Sequence, residues 1–126
     1  EFRRVLFRSK MVKLDYSTNA RAIAMRKTKG FFKIIVTCDH GMRILGMRAV
    51  GEHASSAIQA VAYLVHTNQG IRELADMMHP HPSIIEGIQE CLRMLLGKSI
   101  YKAAVFKDKL KAYVFEDGKS TPIDHL

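Results

Sequence analysis

The chain has 126 residues, room for one ordinary domain and not for two. Apolar residues make up 48% and charged residues 25%, which excludes wholesale disorder, and two cysteines exclude a disulfide framework or a four-cysteine zinc site. The net charge of +8 divides into +3 over residues 1–10, +3 over 11–96 and +2 over 97–126, which describes a mildly basic, solvated surface rather than a nucleic-acid patch.

The first ten residues, EFRRVLFRSK, read as a non-native segment, because RRVLFRS resembles the translation of a sequencing adapter. The chain is therefore expected to be a fragment of a longer one, with the domain running over 11–97 and a tail of unassigned structure over 98–126. Residues 11–17 alternate apolar and polar at Val12, Leu14 and Tyr16, a strand signal. Residues 20–27 fit a helix by their alanines and a strand by a period of two, and stay open between the two. Gly30 opens a clear strand, FFKIIVTC, and Asp39-His40-Gly41 is turn chemistry before a second strand in RILGMRAVG. Those two strands predict a hairpin.

The apolar period then changes. Ala57, Ile58, Val61, Ala62, Leu64 and Val65 predict a helical stripe, stopped by Asn68-Gln69-Gly70. A short helix follows over 71–78 with Leu74 and Met77 inward. A third runs over 83–96 with Ile84, Ile85, Ile88, Leu92 and Leu95 apolar, and Gly97 ends it. Part of that last face, with the hairpin, is expected to form a two-fold interface. In the tail, Ala112 to Phe115 fit a short strand before the turn Glu116-Asp117-Gly118, with no place assigned to it. The fold class is α+β, an antiparallel sheet packed with helices on one side. No apolar run reaches the length of a membrane helix, and no glycine-rich phosphate loop is present.

One stretch carries chemistry: His79-Pro80-His81-Pro82-Ser83-Ile84-Ile85-Glu86. A residue before proline is pushed out of the helical region, so both histidines sit on stiff, extended backbone ahead of a helix. Ser83-x-x-Glu86 has capping-box spacing, with Ser83 at the N-cap. Glu86 would lie in the first turn, near His81. Two readings of Glu86 follow, a helix cap or the partner of a histidine base. Imidazole changes charge near neutral pH, and a carboxylate on one ring nitrogen fixes its tautomer, which makes an acid–base dyad. His79 and His81, two apart on extended chain, face opposite ways, so no metal site is expected.

Segment 11–97 resembles the C-terminal dimerisation domain of the pyridine nucleotide-disulfide oxidoreductases, flavoproteins that include dihydrolipoamide dehydrogenase, glutathione reductase and mercuric reductase. The likeness rests on Asn19-Ala20-Arg21-Ala22, Gly30 to Ile34, Ile44-Leu45-Gly46, Val50-Gly51, Ala54, Ile58, Glu73 to Asp76, His81-Pro82-Ser83 and Glu86. The resemblance implies that His81 is an acid–base residue and Glu86 its orienting carboxylate, acting on the redox-active disulfide of the other subunit. It implies a homodimer, a dithiol or disulfide substrate, and FAD and NAD(P) bound by upstream segments. The fragment alone would bind neither cofactor and be inactive, although the His81 stretch would approach the flavin of the intact enzyme. It further implies a cytoplasmic enzyme (organellar in a eukaryote), with neither nucleic acid nor membrane as partner. Two departures stand out. Ser56 replaces a usual acidic residue. His79-Pro80-His81-Pro82 is similar to the dihydrolipoamide dehydrogenase branch, whereas Glu73 to Asp76 and Glu86-Gly87 are similar to mercuric reductase. The alternative is a non-catalytic homodimerising α+β module.

Overall fold

A computed structural model describes residues 8–101 and 105–123; residues 1–7 of the expected non-native segment lie outside this range. Five antiparallel strands form one sheet: β1 (Arg8–Asp15), β2 (Phe31–Thr37), β3 (Ile44–Val50), β4 (Leu110–Glu116) and β5 (Lys119–Pro122), in spatial order β3-β2-β1-β4-β5. Among the described residues five α-helices intervene, α1 (Ala20–Ala24), α2 (Ala54–Ala57), α3 (Gln59–His66), α4 (Arg72–Asp76) and α5 (Ile85–Leu95), with a 3-10 turn over Tyr16–Thr18.

The period of two along the strands makes one face apolar. Val12, Leu14, Phe32, Ile34, Val36, Leu110 and Ala112 are buried in one core with Val61, Leu64, Leu74, Ile88 and Leu92 of the helices. The other face carries Lys13 with Lys33 and Lys111 directly opposite it on both neighbours, and Lys13 Nζ sits 4.4 Å from the Phe31 ring centroid.

Several expectations change. The ambiguous stretch is a short helix, because the Asn19 side chain accepts from Ala22 N at 3.1 Å and caps it. The predicted 54–68 helix is broken at Ile58 into α2 and α3, and Val65 and Ala62 face outward. Asn68, at φ 54°, ends it: Gln69 N reaches Leu64 O and Asn68 N reaches Val65 O, the paired bonds of a left-handed cap. Met77 is 56% exposed rather than inward, since α4 ends at Asp76 and Met77 is already extended. The apolar face of α5 is not left over for a partner: Ile84, Ile88, Leu92 and Leu95 are all buried within this one chain.

The sheet runs past both bounds of 11–97. Arg8, Ser9 and Lys10 are ladder residues of β1. The tail supplies β4 and β5, and β4 pairs with β1 over seven residues, from Arg8↔Glu116 to Leu14↔Leu110. Without β4 the hydrogen-bonding edge of β1 would be unpaired, which is the physical reason the tail belongs to the sheet.

Candidate functional site

The site forms where α4 hands the chain to α5. Pro80 and Pro82 have no N–H to extend a helix, and among the described residues no backbone–backbone hydrogen bond involves Met78 to Pro82. The His81–Pro82 peptide bond is cis. Downstream, Gly87 lets the start of α5 settle onto β2: a Cβ there would stand 2.6 Å from Phe32 Cε2 and 3.3 Å from Asn19 Nδ2.

His81 and Glu86 come together. His81 Nδ1 lies 2.8 Å from Glu86 Oε1, and Ser83 N donates to Glu86 Oε2 at 2.8 Å. Glu86 therefore makes both contacts, one on each oxygen. A carboxylate only accepts, so Nδ1 carries the ring hydrogen and Nε2 keeps the lone pair. The His81 side chain is 70% exposed and that of Glu86 23%, so the carboxylate is sheltered while the imidazole faces outward. This arrangement can accept a proton at Nε2 and return it.

Ser83 does not cap the helix as its spacing predicts. Ile84 occupies the N-cap at helical angles, its carbonyl accepts from Gly87 N in a tight first turn, and Ser83 Oγ is buried with no partner among the described residues. Only the reciprocal half of the capping box is made. His79 turns away from His81, its Nε2 lying 3.0 Å from Leu74 O. Among the described residues no three His, Cys, Asp or Glu side chains gather as metal ligands. Burial raises the pKa of both Cys38 and Cys91, and Glu90 adds to the effect at Cys91, so neither is an activated nucleophile.

Three buried polar side chains were missed from sequence. Asn19, 2% exposed, donates to Ser83 O at 3.0 Å and Ile84 O at 3.3 Å. Gln89, 6% exposed, donates to Ala75 O and Met77 O. Glu90, 2% exposed, accepts from Ser99 Oγ, Ile100 N and Tyr101 N. The signal for the last two was present: polar residues sit beside Ile88, Cys91 and Leu92 on a helix that is buried nearly all round.

Residues 5–92 match the family described as pyridine nucleotide-disulphide oxidoreductase, dimerisation domain. A dihydrolipoyl dehydrogenase of Synechocystis is 33% identical over 81 residues, covering 64% of this chain and 17% of that protein. A mercuric reductase of Shigella flexneri is 35% identical over 69 residues, 55% of this chain and 12% of that protein. The crystal structure of LpdA from Mycobacterium tuberculosis superposes with a TM-score of 0.64 at 31% identity, over 69% of this chain and 19% of that one. The chain thus spans less than a fifth of the length of these relatives. With the family match, the antiparallel sheet and helices, and the likeness to a solved relative all in agreement, the chain belongs to the dimerisation-domain family of the pyridine nucleotide-disulfide oxidoreductases.

Proposed function

We propose that this chain supplies the acid–base pair of a flavin-dependent pyridine nucleotide-disulfide oxidoreductase most like dihydrolipoyl dehydrogenase. His81 is the catalytic residue and Glu86 positions it. The observation that carries the reading is the 2.8 Å contact between Nδ1 and Glu86 Oε1 beneath an exposed imidazole. A dithiol attacks only as its thiolate. Nε2 takes the proton from the substrate thiol and holds it on the imidazole, and the positive charge so formed is balanced by Glu86. In the reverse direction the same nitrogen returns the proton to the departing thiolate. The flavin and the nicotinamide, held by segments outside this chain, supply the electron transfer.

The same reading includes a homodimer, since the family acts on the disulfide of the opposite subunit. Tyr63 (65% exposed), Val65, Met77 and Met78 (94% exposed) bring large apolar side chains to the surface of α3 and the end of α4. That surface, rather than the α5 face, is the one offered to the partner.

The test is His81→Gln in the enzyme that carries this chain. Dithiol turnover should fall by roughly 10²–10⁴-fold. Reduction of an artificial acceptor by the nicotinamide should survive, because that route bypasses the imidazole. Unchanged dithiol turnover would remove the catalytic role and leave the dimerisation domain.

A further inference from the structure

His81 sits on a segment, Met78 to Pro82, that makes no backbone–backbone hydrogen bond among the described residues. Its position is set from the two flanks, and each flank is gripped by a buried carboxamide. On the entry side, Gln89 Nε2 donates to Ala75 O at 3.0 Å and to Met77 O at 2.9 Å. These carbonyls belong to the last turn of α4 and the residue after it, groups that a helix end leaves without partners. On the exit side, Asn19 Nδ2 donates to Ser83 O at 3.0 Å and Ile84 O at 3.3 Å, while its Oδ1 is held by Ala22 N. Both amides are nearly inaccessible to water, so neither bond is exchanged for a solvent one without cost.

We infer that Gln89 and Asn19 are positioning residues of the His81–Glu86 pair, two buried clips that fix the ends of the segment carrying the imidazole. Gln89 stands one turn beyond Glu86 on α5, so one rigid helix holds both the carboxylate that His81 meets and the amide that anchors its segment. A shift at Met77 would move His81 relative to Glu86, which does not move with it. This inference rests on the proposed role of His81 only for its consequence in turnover; the geometry itself is tested without catalysis.

The experiment uses ring ¹⁵N spectra of the 126-residue chain with the imidazoles in their neutral form. The unaltered chain should show His81 as the Nδ1–H tautomer, and both Gln89 side-chain amide protons should exchange slowly. Gln89→Met keeps the length and removes both donors. It should leave the circular dichroism unchanged and convert His81 to a mixture of tautomers. Gln89→Lys, which keeps a donor facing carbonyls at a helix end, should restore the single tautomer. Asn19→Ser retains a cap for α1 and loses the reach to Ser83; it should give the same mixture. In the intact enzyme, Gln89→Met should lower kcat by about 10–100-fold with KM for the dithiol unchanged. A folded Gln89→Met chain with the wild-type tautomer overturns the inference. If that variant does not fold, fast exchange of the Gln89 amide protons in the unaltered chain, or an unchanged tautomer in Asn19→Ser, overturns it. Failure of the catalytic reading looks different: the tautomers respond as described while His81→Gln leaves turnover intact.

Discussion

Glu86 and Glu90 stand about one turn apart on α5, and each receives backbone N–H groups from chain outside the helix. Glu86 reaches back to the segment before α5 and Glu90 reaches forward to the segment after it. What separates them is the partner that remains. Glu86 has one oxygen on Ser83 N and the other on an imidazole open to solvent. Glu90, 2% exposed, accepts from Ser99 Oγ, Ile100 N and Tyr101 N, all on Oε1. The same side chain on the same helix therefore meets an exposed imidazole at one position and fastens the chain inward at the next. Burial and the partner set decide the role, and residue type does not.

The comparison breaks first if the tail is dispensable. Removing residues 98–126 takes away β4, β5 and every donor to Glu90, and should abolish cooperative unfolding in a thermal melt. A truncated chain with an unchanged melting temperature would contradict the inward role. Next, Glu90→Leu leaves two backbone N–H groups without an acceptor and should lower stability by roughly 3 kcal/mol, read from the urea midpoint. Dithiol turnover of the folded enzyme should not change. Gly87→Ala forces a methyl against the buried Phe32 ring and should cost about 1–2 kcal/mol by the same measurement.

Glu86→Gln sharpens the contrast from the other side. Glutamine still accepts from Ser83 N, so stability should change by less than about 0.5 kcal/mol. Dithiol turnover should fall, though less than in His81→Gln, because orientation is lost and the base is kept. The smallest effect is on pH. Burial raises the Cys91 and Cys38 thiols above their ordinary value of 9.0, and burial, with Glu52 adding to it, pushes Tyr16 up from 10.0 to about 12. The unfolded chain loses these protons first, so the stabilisation is complete below about pH 9 and is lost as pH rises through the folded values. Denaturation midpoints should be flat up to pH 9 and decline toward pH 12. Cys91 should stay unlabelled by a disulfide reagent at pH 8 until the chain unfolds.

The strands β2 and β3, most of β1, the helical stretches before and after His81 and the His81–Glu86 spacing were legible in the sequence, because each depends on residues close together in it; α1 was not, since its alanines fit both periods. Asp39 shows why: its carboxylate accepts from Thr37 Oγ1 and Met42 N, a hairpin turn written in consecutive residues. The pairing of β4 with β1 was not legible, since nothing local selects a partner about 100 residues away. The two clips were hidden for a related reason. Asn19 caps α1, but its second set of bonds depends on where α5 comes to lie. Ser83 misled in the opposite sense, offering a capping hydroxyl that the tight first turn leaves unused.

The central place of β1 has a consequence for synthesis. Its partner on one side, β2, emerges from the ribosome soon after it, whereas β4 follows only after about 100 residues. At about 5–20 residues per second, one edge of β1 waits on the order of 5–20 s for its native neighbour. During that interval a row of free N–H and C=O groups is available to any extended chain nearby. Lys10 and Lys13 lie along that strand, and charge of this kind discourages a stray chain from pairing before the right one arrives.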